Sequence, residues 1–101
     1  MVAHILGIED PENHEGTVAL FARLHRACGF SKLLKVQEAY PDIIAVDEKG
    51  HETRIEVEFE SANFEREHMN EADKCDTLVC WRDTWGRAAI KPVIELASLL
   101  Y

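Results

Sequence analysis

The sequence predicts an α/β fold in which helices flank a mixed sheet. The chain reads in the order helix, three strands, helix, strand and a terminal element. Its fourth strand is apolar throughout, as is typical of a strand covered on both faces. A length of 101 residues, 47% of them hydrophobic and 30% charged, is typical of one globular domain, which we expect to span residues 1–101.

The first predicted helix has start and stop signals at both ends. Asp10 is the expected N-cap and Pro11 the expected first helical residue, because both residue types favour those positions. Apolar residues then recur at helical spacing as far as Cys28. Gly29 follows where a helix commonly ends in a left-handed residue.

Three strands are predicted next, over residues 33–39, 42–47 and 54–60. Pro41 interrupts the first strand or marks a bulge. A short turn, Glu48-Lys49-Gly50, joins the second strand to the third. A turn of that length places Asp42 opposite Glu56 across the hairpin.

The carboxy-terminal part predicts a helix, a strand and a final element. Asn63 is the expected N-cap of a charge-rich helix over residues 64–73. Residues 77–81 (TLVCW) form the apolar strand. Residues 90–100 fit either a strand entering a helix or a helix alone.

The hairpin register predicts a cluster of carboxylates on one face of the sheet. Asp42, Glu56 and Glu58 share that face with a single cation, Arg54, which offsets part of their repulsion. Carboxylates packed without enough positive charge raise one another's pKa. A divalent cation resolves the conflict, and Mg²⁺ prefers one or two carboxylates together with water and phosphate oxygens. The alternative is a solvated acidic face in which Arg54 makes an ordinary ion pair.

Pro41-Asp42 on one strand and Glu56-Val57-Glu58 on the next form a PD…ExE pattern. In this order of elements, the pattern resembles the PD-(D/E)XK nuclease superfamily, which has the restriction-endonuclease-like fold. Residues 61–64 (SANF), His68 and residues 75–81 (CDTLVCW) are similar to a small prokaryotic branch of that superfamily. The resemblance runs from the first helix to at least the fourth strand and implies an αβββαβ core.

The resemblance implies metal-dependent phosphodiester hydrolysis of DNA, with Mg²⁺ or Mn²⁺ as cofactor. Asp42 and Glu56 would ligate the metal, together with the backbone carbonyl of Val57. Glu58 would orient or deprotonate the attacking water, so that Asp42, Glu56 and Glu58 form the catalytic set. Glu15 would present a further acidic side chain to the metal, although an acidic residue early in a helix also complements the helix dipole.

One departure from the family pattern opens a second function. The third catalytic position, usually Lys, is Glu58, which can accept a proton but cannot supply positive charge. The alternative is a catalytically inactive protein that keeps the nuclease fold for nucleic-acid binding or protein assembly. A small acidic interaction protein without metal is a third candidate.

Three residues after the third strand are candidate substrate contacts. Ser61 and Asn63 are expected to bind phosphate or to cap the following helix, and capping is the preferred role for Asn63. His68 is expected either to contact phosphate or transfer a proton, or to be a surface histidine on a polar helix.

Composition bounds the partners and the location of the chain. The formal charge of −8 argues against general electrostatic adhesion to nucleic acid. No apolar run approaches the roughly 20 residues that span a bilayer, so no membrane partner is expected. Three cysteines without a CxxC pair predict reduced thiols in the cytoplasm. The apolar stripe at residues 96–101 fits a homodimer surface and core packing equally well.

Overall fold

The computed structural model describes Gly7, residues 9–85 and residues 91–101. The predicted α/β class is confirmed, since helices flank a mixed sheet of five strands. The elements are α1 (His14–Leu24), β1 (Phe30–Val36), β2 (Ile43–Asp47), β3 (Glu52–Glu60), α2 (Ala62–His68), a 3-10 helix (Met69–Lys74), β4 (Thr77–Arg82), β5 (Val93–Glu95) and α3 (Leu96–Leu100). None of the helices in these ranges has the length and apolar character needed to cross a membrane.

The sheet combines an antiparallel half and a parallel half around β3. Its spatial order is β1-β2-β3-β4-β5. β1, β2 and β3 pair antiparallel, because short connections allow the chain to reverse directly. β4 pairs parallel with β3 after the crossover through α2 and the 3-10 helix, and β5 continues in parallel. β3 is therefore the central strand.

Alternating side chains of β3 and β4 build two apolar clusters on opposite faces of the sheet. On one face, α1 and α3 pack over a cluster that includes Ile55, Val57 and Val79. On the other face, Phe64 of α2 packs with Leu78. The even-numbered residues of β3 lie on the α2 face, so this face is covered by protein instead of open to water.

The predicted hairpin between β2 and β3 is confirmed in both its turn and its register. Gly50 has φ +86°, which favours glycine, and the Asp47 N–H donates to the His51 carbonyl at 2.9 Å. Ile43 and Ile55 are the last backbone pair, and one more step in the same register sets Asp42 opposite Glu56, where the Asp42 N–H donates to the Glu56 carboxylate. The hairpin therefore brings these two carboxylates together as expected.

The predicted start of α1 is wrong by three residues. Asn13, and not Asp10, is the N-cap, and its side-chain oxygen accepts from the Gly16 N–H at 2.8 Å. Asn and Asp are equally good caps, so propensity alone did not separate the two positions. A Cβ on Gly16 would lie 3.2 Å from Cβ of Pro11 and 3.3 Å from Oδ1 of Asn13, so glycine leaves room for this first turn. The helix also ends earlier, at Leu24.

The predicted capping role of Asn63 is wrong as well. Asn63 lies inside α2, where its side chain accepts a hydrogen bond from Arg66. Ser61 occupies the N-cap position without making a side-chain cap. Its hydroxyl instead donates a hydrogen bond to Asp83 in the segment after β4. The start of α2 is therefore fixed by a tertiary contact that the local sequence does not reveal.

The chain end follows the first of the two expected alternatives, a strand entering a helix. β5 leads directly into α3, and residue 90, where this element was expected to begin, lies outside the described residues. Leu96 and Leu100 are buried in the core, whereas Leu99 and Tyr101 are 48% and 54% exposed. Core packing therefore explains half of the apolar stripe.

The observed cap of α1 predicts a specific loss of stability. Asn13→Ala should lower the free energy of unfolding by about 1 kcal/mol, because it leaves a first-turn N–H without its acceptor. Asp10→Ala, at the expected but incorrect cap, removes only an exposed hydrogen bond from Tyr101 and should change stability by less than about 0.5 kcal/mol. Urea denaturation of both variants measures the difference, and equal losses would contradict the assignment.

Candidate metal centre

Three carboxylates meet in one cavity beside the end of the β2–β3 hairpin. Asp42, Glu56 and Glu58 are only 5%, 3% and 4% exposed. The cavity has a volume of about 260 Å³ and is also lined by His14, Glu38, Tyr40, Glu67 and His68. The predicted convergence of the three acidic side chains is therefore observed, and these side chains do not fan outward into solvent.

Asp42 is held by the strand beside it and by the first helix. Its Oδ2 accepts from the Val57 N–H at 3.0 Å and lies 3.0 Å from Nε2 of His14. Its own backbone N–H donates to Oε1 of Glu56 at 3.1 Å. Asp42 thus continues the β2–β3 ladder beyond its last backbone pair and orients Glu56 at the same time.

Glu56 has a histidine partner from the helix that covers this face. Its Oε2 lies 3.1 Å from Nε2 of His68. The imidazole stacks on the ring of Tyr40 with centroids 4.4 Å apart and planes 10° from parallel. This stacking fixes the direction of the ring, so that Nε2 points at the carboxylates.

Glu58 differs from its two neighbours. Within residues 9–85 and 91–101, its carboxylate has neither a hydrogen bond nor an ion pair, although it lines the cavity and is almost wholly buried. Burial, followed by the charge of Glu67, raises its pKa to about 7. The site therefore contains a buried carboxylate whose negative charge lacks a direct protein partner.

The proton affinities of the surrounding groups show the same excess of negative charge. Burial and the nearby charges of Asp42 and Glu58 raise the pKa of Glu56 far above its usual range. Burial alone would lower the pKa of His14, but the hydrogen bond and the charge of Asp42 outweigh it, so the pKa is raised. A proton or a metal ion would relieve this repulsion.

Arg54 does not supply the counter-charge that the sequence predicted for the cluster. Its guanidinium pairs with Asp76 at 2.9 Å, and its backbone N–H donates to the same carboxylate at 2.8 Å. Asp76 directly precedes β4 and lies beside Arg54 of the paired strand β3, so Arg54 forms its ion pair there and not with the cluster. In the described residues, the basic partners in contact with the cluster are His14 and His68.

The donor set fits a divalent cation. Glu56, Glu58 and His68 each offer one ligand atom, and these atoms lie within 4.8 Å of one another. The carboxylate oxygens match the ligands that Mg²⁺ prefers. Asp42 is adjacent to this group through Glu56, whereas Val57 contributes the N–H donated to Asp42.

Glu15 does not line the carboxylate cavity. It is exposed and lines a neighbouring cavity of about 400 Å³. His14, the preceding residue in α1, faces Asp42 instead. The first helix therefore presents a histidine to the site, and not the acidic side chain that was expected.

Ser61 is committed to the fold. It is fully buried and donates to Oδ1 of Asp83 at 2.6 Å. Its oxygen also accepts from the N–H groups of Thr84 and Trp85 at 2.7 and 3.0 Å. These bonds tie the end of β3 to the segment after β4, so Ser61 positions α2 instead of facing the cavity.

Sequence reasoning missed four residues that line the cavity, His14, Glu38, Tyr40 and Glu67. Identifying Asn13 as the helix cap would have placed His14 at the start of α1. Tyr40 directly precedes the Pro41-Asp42 pair, but its stacking partner His68 is 28 positions away in the sequence. A contact between residues so far apart in the chain has no signature in the local sequence.

Comparison with protein-family models, curated proteins and solved structures found no match to this chain. The site is therefore interpreted from its own geometry and from the sequence pattern described above.

The raised pKa of Glu58 predicts a pH-dependent stability in the metal-free protein. A folded pKa of about 7, above the ordinary 4.5, means that the folded state binds this proton more tightly than the unfolded state. This stabilisation is complete below about pH 4.5 and is lost as the pH rises through about 7. With solvent screening, the contribution of Glu58 to the free energy of unfolding should fall by about 1–2 kcal/mol over that range.

Glu58→Gln tests this assignment with chelator present. The neutral amide removes one of the two titrating glutamates, so the variant should lose the share of the pH dependence that Glu58 contributes, while Glu56 keeps its own share. The variant should also exceed the parent in stability at high pH. Glu52→Gln, an exposed position on the same strand, should keep the parental slope. Chemical denaturation across the pH series measures all three proteins, and a flat profile for the parent would refute the assignment.

Proposed function

We propose that this chain is a metal-dependent phosphodiesterase that cleaves DNA, in the manner of the PD-(D/E)XK nucleases it resembles. The observation that carries the proposal is the buried convergence of Asp42, Glu56 and Glu58 from paired strands into one cavity. The pattern of a strand carrying Pro-Asp followed by a strand carrying ExE supports it.

The side chains of the cavity have separate roles under this proposal. Glu56 and Glu58 would hold a divalent ion, Mg²⁺ or Mn²⁺, with Asp42 beside them. The bound ion would supply Lewis-acid activation of water and neutralise charge that builds on the phosphate. Glu58 would also orient the attacking water beside the ion. His14 keeps Asp42 in place.

The acidic composition restricts how DNA would be bound. A net charge of −8 gives little non-specific attraction to the backbone. The proposal therefore places most of the favourable contact with phosphate at the bound cation and little of it at lysine and arginine side chains. Few counterions would be released on binding, so the salt dependence of the interaction should be shallow.

A second candidate is a nuclease-like protein without catalysis, used for nucleic-acid binding or assembly. Glu58 favours this candidate, because it occupies the position at which the nucleases that the sequence resembles usually have Lys. A negative group at that position cannot offset charge on the reacting phosphate. The two candidates share the metal site and differ in whether the phosphodiester bond is broken.

Location and assembly belong to the same proposal. Cys28, Cys75 and Cys80 are free thiols, which supports a reducing compartment such as the cytoplasm. A homodimer would place two sites on the two strands of a duplex, with the exposed Leu99 and Tyr101 as a candidate contact.

Substitution of the cavity carboxylates should abolish cleavage. With Mg²⁺ or Mn²⁺, the parent should nick supercoiled plasmid. Glu56→Gln or Asp42→Asn should reduce the cleavage rate by about 100-fold or more, because each substitution removes a negative charge that helps to hold the metal ion in place. Agarose-gel assays of the open-circular product measure the rate.

Glu52→Gln is the matched control and should cleave like the parent, since this carboxylate is exposed on the same strand. Equal cleavage by parent and both site variants would identify a contaminating nuclease and contradict the proposal. Intact plasmid with a parent that binds metal would instead identify the non-catalytic candidate.

A further inference from the structure

A nitrogen donor stands beside the two carboxylates that would hold the ion. We infer that this site selects a divalent transition-metal ion over Mg²⁺, with Nε2 of His68 as a ligand beside Glu56 and Glu58. The inference deepens the proposed function, on whose metal site it rests. It also assigns Asp42 a positioning role.

The position of His68 carries the first step. Its Nε2 lies 3.1 Å from Oε2 of Glu56, and ligand atoms of Glu56, Glu58 and His68 all lie within 4.8 Å of one another. Stacking on Tyr40 holds the ring in that direction. A cation placed between His68 and Glu56 would meet both donors with little rearrangement.

Glu58 supplies an independent observation that the cluster is incomplete. Only 4% of Glu58 is exposed to solvent, and its side chain lines the cavity. It makes no hydrogen bond or ion pair with any residue in the described ranges. A buried charge of this kind is costly unless it is paired or coordinates a metal. An ion held by Glu56 and His68 would meet that requirement.

The Asp42 carboxylate already has partners within the protein. Its Oδ2 accepts from Val57 N–H and contacts His14, and its backbone N–H orients Glu56. These contacts fix the strand ends and aim the Glu56 carboxylate at the cavity. Asp42 therefore acts through Glu56, as an outer residue that positions a ligand.

The donor chemistry determines the class of ion. Mg²⁺ prefers oxygen ligands and retains its waters, so an imidazole in the set brings it little benefit. Imidazole suits the later first-row metals, for which affinity rises from Mn²⁺ through Co²⁺ to Ni²⁺ and Cu²⁺. Two carboxylates and one imidazole therefore favour an ion such as Co²⁺ or Zn²⁺.

Titration with Co²⁺ and Mg²⁺ tests the inference without reference to cleavage. Isothermal titration of the parent should show Co²⁺ binding at least about tenfold tighter than Mg²⁺. His68→Gln should remove most of that preference while Mg²⁺ binding persists, which also shows that the variant has folded with its carboxylates in place. His51→Gln, at an exposed histidine, should match the parent.

Proton NMR of the Co²⁺-loaded protein identifies the ligand directly. The parent, His51→Gln and His14→Gln should each show a strongly shifted imidazole N–H resonance, and His68→Gln should lack it. A shifted resonance that survives in His68→Gln, or equal affinities for Co²⁺ and Mg²⁺ in the parent, would overturn the inference.

The outcomes separate this inference from the proposed function. Nitrogen-ligated Co²⁺ in a protein that leaves plasmid intact with every metal would support the inference and refute cleavage. Mg²⁺-dependent cleavage that is unchanged in His68→Gln, without a preference for Co²⁺, would support cleavage and refute the inference. Absence of binding by either ion would refute both.

Discussion

The burial of three carboxylates without equal positive charge is the constraint on which the structure depends. An ionised group removed from water costs several kcal/mol unless it is paired. His14 and His68 contact two of the acids, and the third, Glu58, lacks such a contact in the described ranges. Net stabilities of domains are only about 5–15 kcal/mol, so the cluster persists because apolar packing on both faces of the sheet holds its strands together.

Core and site are parts of the same strand. On β3, Ile55 and Val57 are fully buried on one face, while Glu56 and Glu58 face the cavity on the other. A one-residue slip of the β2–β3 register would move the carboxylates into the core and the apolar residues into the cavity. The three-residue turn ending at Gly50 prevents that slip, so local turn chemistry secures the geometry of the site.

The features that the sequence predicted are those encoded by neighbouring residues. Alternation along β3, the turn at Gly50 and the apolar β4 each follow from local pattern, and together they were sufficient to bring Asp42 opposite Glu56. The missed features depend on which of several chemically equivalent residues forms the contact, and that is decided by parts of the chain that are distant in sequence. Arg54 could pair with several acids and pairs with Asp76, which the parallel β3–β4 register brings alongside. Likewise, Asp10 and Asn13 are equally good caps by residue type, and it is Asn13 whose side chain accepts from the Gly16 N–H.

Under the proposed function, charge at two length scales reconciles an acidic chain with a phosphate substrate. At long range, the −8 net charge repels DNA, but salt screens such interactions beyond about 8–10 Å. At contact, a divalent ion held by two carboxylates and an imidazole would leave the ion and its ligands close to neutral. A phosphate would then meet a cation instead of a cluster of acids. Under the proposed function, the same negative charge that repels free DNA concentrates the cation, so metal binding must precede any productive encounter with the backbone.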